Sequence, residues 1–188
     1  MPASWTVTPA EKRWVAMASG FRSDQHSDHG LRPTGGVLTD TLCHTVGMLG
    51  EYAVARFLGL DPTRVFRVYD GGSDHGVDLA YRGMSISVKT RHTWNNPDVL
   101  IDHQDGDRAG EIQGMQADLL VGCSLSCSRK KCHCVDSMLS DEPIQVHILG
   151  WTTKESYQAQ ARSKNLGMGL RWLFPVDRLH GMHLLFLL

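Results

Sequence analysis

The sequence has no long apolar run and no excess of either charge. No stretch approaches the ~20 consecutive apolar residues of a membrane-spanning helix. The N-terminus, MPASWTVTPAEKRW, lacks the charged start, apolar centre and small-residue cleavage site of a secretory signal. Both absences lead to the expectation of a soluble, cytoplasmic protein with no membrane partner. Lysine and arginine number 19 against 20 acidic residues, a formal net charge of −1. That balance excludes the global basicity of an architectural nucleic-acid binder, so any phosphate contact has to come from local patches or bound metal. It also leaves a homodimer or a protein partner open. There is no internal repeat and no low-complexity tract. Cysteine is rare outside one place, since four of the five crowd into CSLSCSRKKCHC. Clustered thiols in an intracellular chain point to metal more than to disulfides.

At 188 residues the chain is long enough for one domain with a hydrophobic core and too short for two of ordinary size. We expect a single domain over 1–188: a core over about 39–188, an N-terminal helix and loop over 1–38, and a cysteine-rich insertion over 123–142. Thr8 followed by Glu11 is a capping-box pattern opening a short helix. Residues 19–36, rich in Gly, Pro, Ser, Asp and His, read as a long exposed loop. Residues 39–58 return to helical spacing, with Leu42, Val46, Leu49, Ala53 and Phe57 as an apolar stripe. Thr41, His44, Thr45, Tyr52 and Arg56 fall opposite, with Glu51 on the border between two small neighbours, Gly47 and Ala55. Such a helix can approach a sheet closely and hold one carboxylate toward its edge; an ordinary solvated glutamate is the other reading.

RVFRVYD, VDLAY, MSISVKT and DVLIDH read as four strands, and ADLLVG and IQVHILGW as two more covered on both faces. TTKESYQAQARSKN reads as a helix with a threonine cap, LRWLFP as a late strand. The order implies an α/β (α+β) fold, a mixed central sheet flanked by helices.

If VDLAY and MSISVKT form a hairpin turning at Arg82-Gly83, Tyr81 faces Met84, Leu79 faces Ile86, Asp78 faces Ser87 and Val77 faces Val88. Val77, Leu79, Ile86 and Val88 then share an apolar face, and Asp78, Ser87 and Lys89 share the other. Polar residues in mid-sheet cost desolvation, so they meet solvent or have partners and a use. Hydrolysis of a phosphodiester supplies one. Asp78 would ligate Mg²⁺ (or Mn²⁺), a hard cation that takes oxygen ligands. Lys89 would orient the water or stabilise the developing charge, and Glu51 would complete the metal shell.

The residues GMLGEYAVARFLGL, GGSDHGVDLAYRGMSISVKT, ADLLVG and IQVHILGW resemble the PD-(D/E)XK nuclease superfamily, most of all its small nuclease-like proteins from phages and prokaryotes. The resemblance covers most of residues 41–180. It implies a restriction-endonuclease-like fold and Mg²⁺-dependent cleavage of DNA, single- or double-stranded. An acid on the first core helix, an aspartate on the second strand and an acid-x-lysine on the third would bind the metal, and Glu51, Asp78 and Ser87-Val88-Lys89 stand at those places. Ser87 departs from the pattern. Some restriction endonucleases of the superfamily also carry Ser-Val-Lys and recover the acid from farther along the chain. By that analogy Asp102 is the first candidate, with Asp98, Asp105 and Glu111 behind it. The alternative is a site without metal affinity, in an inactive protein that binds nucleic acid or protein.

Cys123, Cys127, Cys132 and Cys134 supply four thiolates within twelve residues, suited to a structural, tetrahedral Zn²⁺, with His133 able to replace one of them. An Fe–S cluster is the less favoured occupant. Arg129, Lys130 and Lys131 lie inside the loop, either as a basic finger for a nucleic-acid backbone or as charges that keep it solvated. Cys43, alone on a helix face, reads as a core residue. His44, His75, His92 and Trp94 are secondary candidates near the hairpin.

Overall fold

Thr8 opens the first helix as its spacing to Glu11 predicts: the Thr8 N–H donates to Glu11 Oε2 at 2.7 Å and the Glu11 N–H to Thr8 Oγ1 at 3.3 Å. The computed structural model describes residues 3–28, 40–65, 76–91, 101–103, 116–126, 141–165 and 170–187. The helix so capped, α1 (Pro9–Asp28), runs on through the start of the expected loop. Tertiary contact overrides the poor local propensity there. Ser19 Oγ donates to Ala16 O at 2.8 Å and lies 2.7 Å from Thr45 Oγ1 on the second helix. Before α1, a strand not anticipated from the sequence, β1 (Ala3–Val7), alternates between half-buried Ala3 and Trp5 and exposed Ser4 and Thr6.

The second helix, α2 (Asp40–Phe57), is the centre of the fold. Its apolar stripe packs on the sheet, and part of the opposite side is covered as well, though Arg56 is exposed. Thr45 and Tyr52 are buried at 4% and 7% exposure against α1, and Tyr52 Oη donates to Glu11 Oε1 at 2.7 Å. A helix covered on both sides needs few solvated positions, which accounts for Val46, Met48, Leu49, Ala53, Val54, Ala55 and Leu58 all being buried. A four-residue helix, α3 (Pro62–Val65), takes the start of the expected strand RVFRVYD; the rest of that stretch lies outside the described residues.

The main sheet contains β2 (Leu79–Tyr81), β3 (Met84–Arg91), β5 (Leu119–Ser126) and β6 (Ile144–Thr153), in the order β1-β6-β5-β3-β2. The β3–β5 pair is parallel and the other three pairs are antiparallel. The fold is therefore mixed α+β, as expected, with β1 and α1 built into the core rather than appended to it. Asp118 sets the parallel register: its Oδ2 accepts from the Ser85 N–H at 2.8 Å and the Ser85 Oγ at 2.7 Å, and its own N–H donates to Ser85 Oγ at 3.0 Å. Those Ser85 donors, the backbone one first, hold the Asp118 carboxyl below the usual range.

A second sheet joins β4 (Ile101–His103), β7 (Arg162–Asn165) and β8 (Leu170–Phe174) in the order β4-β8-β7. The helix expected over 152–165 is shorter. Thr153 caps α4 (Lys154–Gln160) through its Oγ1, which accepts from the Ser156 N–H at 3.1 Å. Ala161 is extended, and Arg162–Asn165 pairs with β8 as strand instead. Two cores result. The larger lies between α2 and the main sheet; the smaller, Ala117, Leu120, Tyr157 and Phe174, joins the other face of that sheet to α4 and β8.

Candidate functional site

Arg82 and Gly83 both have positive φ, 49° and 81°, the conformation of a two-residue hairpin turn whose twist matches its strands. The pairs Tyr81–Met84, Ala80–Ser85 and Leu79–Ile86 form as predicted. Beyond Leu79 the register departs from expectation. The Asp78 N–H donates to Ile86 O at 2.8 Å, so Asp78 and its neighbour Leu79 both meet Ile86, the geometry of a bulge. Val77 in consequence leaves the apolar face of Leu79, Ile86 and Val88 and packs in the smaller core.

The bulge also redirects Asp78. Its Oδ2 accepts from the Val88 N–H at 2.6 Å and from Ser87 Oγ at 3.4 Å. The carboxylate thus takes the place of the next strand residue and covers the edge of β3 where β2 ends. Asp78 is 8% exposed and Ser87 fully buried. Lys89, half-buried, follows on the same face of β3 as Ser87.

Glu51 comes from the other layer. A Cβ built on Gly50 would run into Thr90 Oγ1 and lie 3.0 Å from Thr90 Cβ, and Thr90 Oγ1 donates to Gly47 O at 3.4 Å. The close approach of α2 to the sheet therefore depends on Gly50 and not on the expected Gly47, where an added Cβ would meet nothing within 4 Å among the described residues. Arg56 stands over the Trp5 ring, 5.3 Å from its centroid, on the β1 side. At about 100° of helix rotation per residue, Glu51 and Arg56 leave α2 on opposite sides of the line through Gly50. Glu51 is thereby turned to the side away from Arg56 and β1, and it is 4% exposed, not a solvated surface residue. His44, two helical turns earlier, is half-buried.

Asp102 lies on β4, opposite Leu173, and Cα atoms of β4 come within 8 Å of those of β3. Its strand is brought beside the hairpin, while its side chain lies outside what is described, as do Asp98, Asp105, Glu111, His75, His92 and Trp94. Cys43 is helical, its side chain likewise undescribed. Cys123 is placed differently from a loop ligand. The strand β5 runs through it to Ser126, the side chain is fully buried in the larger core, and burial pushes its thiol well above the usual range. A zinc ligand has to be a thiolate, which that environment opposes. Cys127, Cys132, His133, Cys134, Arg129, Lys130 and Lys131 lie outside the described residues. Among the described residues no three or more His, Cys, Asp or Glu side chains gather as a metal centre, and no helix is long and apolar enough to cross a membrane.

Sequence reasoning missed two charged residues near this architecture. Lys12 is 2% exposed on α1, in the buried stripe with Val15 and Ser19. That stripe is legible once the helix is known to continue past Ser19. Arg91 continues the alternation of Ser87 and Lys89 on β3. Comparison with family models, curated proteins and solved structures gives no match to this chain.

Proposed function

We propose that the protein is a metal-dependent nuclease that hydrolyses DNA phosphodiesters at the Asp78–Ser87–Lys89 edge of β3, on a restriction-endonuclease-like framework. The observation that carries this reading is the bulge, which lodges the Asp78 carboxylate on the Val88 N–H, next to Ser87 and one residue from Lys89. Burying a carboxylate in mid-sheet costs stability, and a functional site is where such a cost persists.

The donor chemistry fits Mg²⁺ or Mn²⁺. Asp78 and Glu51 are hard oxygen donors, both buried, one from the hairpin and one from α2. They would hold the ion, which when bound supplies Lewis acidity and an acidified water. Asp102 would add the third acid if its side chain follows its strand. Ser87 brings a hydroxyl but no charge, so Asp78 and Glu51 bear most of the attraction for a dication. Lys89 donates toward the phosphoryl oxygen that gains charge, or orients the attacking water. Zinc is proposed for Cys127, Cys132 and Cys134 with His133 as fourth donor, holding the Arg129–Lys131 segment toward the substrate. Elemental analysis tests it: one zinc per chain supports the staple, and a folded, metal-free protein refutes it.

The test of hydrolysis is cleavage of single- and double-stranded DNA with Mg²⁺ or Mn²⁺ by the native chain, Asp78→Ala and Lys89→Ala. Loss in both variants is expected; unchanged activity in both sinks the assignment. The buried, uncharged Ser87 favours a second reading, a binding protein without catalysis. Binding with no cleavage by the native chain, together with no Mn²⁺ bound between Asp78 and Glu51 in a soaked crystal, would select it.

A further inference from the structure

The strands β1, β3, β5 and β6 contain no aspartate or glutamate, and their only Lys and Arg are Lys89 and Arg91. Both cations project to the same side, because Val88 and Thr90 between and beside them face α2. The register carries the Arg91 row across the sheet: Arg91 is opposite Ser124, Ser124 opposite His147, and His147 opposite Ser4. Gln145, in the next row, donates from Nε2 to Ser4 Oγ at 3.3 Å. Their strand neighbours Cys123, Leu125, Val146 and Ile148 fill the larger core from the other side. Arg91, Ser124 and His147 are half-buried, Ser4 and Gln145 exposed.

This face therefore changes character along the strands. The row of Ser87, Leu120 and Thr152 is fully buried beneath the smaller core. Four residues on, the Arg91 row is polar and partly open. Across four strands it is about 14 Å long, the reach of a few nucleotides of one strand. Lys89 and Arg91 stand about 6.6 Å apart along β3, a separation over which one engages the scissile phosphate and the other its neighbour.

We propose that this polar row, led by Arg91, is the track that holds the backbone of a single nucleic-acid strand and feeds it to the Asp78–Lys89 edge, an inference that rests on the nuclease reading. Charge complementarity carries it: on β1, β3, β5 and β6 the strip has a fixed cation, hydroxyl and imidazole donors and no carboxylate, and it continues directly from Lys89. Arg91 is thus a positioning residue for the phosphate next to the one cleaved.

The experiment is fluorescence anisotropy of a labelled single-stranded 20-mer DNA with the full chain in EDTA, over a salt series. Arg91→Gln is expected to weaken binding about tenfold and to reduce the salt slope by about 0.7, the value of one phosphate contact on a single strand. Ser4→Glu, an exposed change at the far end of the row, is expected to weaken binding about fivefold, the effect of one like charge beside a phosphate track. Arg178→Gln, whose side chain donates to Gln160 away from the strip, should bind as the native chain does. Native-like binding by Arg91→Gln or by Ser4→Glu, tighter binding of a duplex of the same sequence, or no binding at all would overturn the track. If Arg91→Gln does not fold, Ser4→Glu decides. Because the assay contains no divalent metal, a chain that cleaves nothing still reports on the track. Conversely, full cleavage with unchanged Arg91→Gln binding removes the track and leaves the nuclease standing.

Discussion

The two faces of the main sheet are built on different terms. Beneath α2 the sheet offers Ile86, Val88, Leu119, Val121, Cys123, Leu125, Val146 and Ile148, all buried in one apolar cluster. Each side chain removed from water there contributes about 1.5–3 kcal/mol. The opposite face is apolar only around Leu120; the rest carries Ser87, Lys89, Arg91, Ser124 and His147. Period-two alternation lets one set of strands serve both purposes, with stability on one face and polar chemistry on the other. The separation fails at Asp78, where a bulge at the sheet edge places a carboxylate between the two layers.

That contrast yields graded expectations. The largest effect is on activity. Lys89→Ala should lower the rate of DNA cleavage by roughly 10²–10³-fold, the usual cost of one transition-state donor. Its melting temperature should stay close to that of the native chain. A large fall in melting temperature would mean that the second face also bears the fold.

On the α2 face the expected order reverses. Gly50→Val should leave no room for Thr90 and cost about 1–3 kcal/mol, despite the better helix propensity of valine over glycine. Calorimetry should show the melting point lower by about 2–4 °C per kcal/mol. Combining Gly50→Ala with Thr90→Ala should recover most of the loss caused by Gly50→Ala alone, because the first obstacle is the threonine hydroxyl.

A smaller effect, dependent on pH, belongs to the α1–α2 contact. Burial raises the Glu11 carboxyl, but the Thr8 N–H, the Tyr52 hydroxyl, the Thr8 hydroxyl and Arg56 together outweigh it and leave it below the usual range. Tyr52 is correspondingly pushed up by burial and by its Glu11 acceptor. A depressed carboxyl stabilises the fold above its unfolded value and loses that contribution as pH falls through the folded one. Glu11→Gln should therefore cost about 1 kcal/mol at pH 7, a typical cap value, and nearly nothing below both values. Urea melts at pH 7 and pH 2.5 check the sign. The smallest effect is local. Asp118→Ala should leave the melting point almost unchanged while speeding hydrogen exchange of the Ser85 amide.

Much of the hairpin was legible because its signals are local: a turn at Arg82-Gly83, alternation, and apolar runs. The bulge at Asp78 was not, since strict alternation assumes a continuous ladder and nothing in the letters VDL interrupts it. Helix α1 was cut short at Ser19 because Gly20 and the polar residues after it lower intrinsic propensity. Packing against Thr45, a contact 26 residues away, decides the matter. Arg162–Asn165 went the other way, its helical letters yielding to pairing with β8. The burial of Thr45 and Tyr52 required knowing that α1 covers α2. Of the candidate site, Asp78, Ser87, Lys89 and Glu51 are identifiable from spacing, whereas Arg91, a lone cation at a strand end, belongs to no motif.

The pairing of β1 with β6 sets a condition on synthesis. Ser4 sits opposite His147, so β1 is completed by a strand that is made much later. A nascent chain carries β1, with its row of unsatisfied amides and carbonyls, until β6 has been made. Sheet closure at that edge is necessarily a late event, governed by a long-range encounter rather than by local structure.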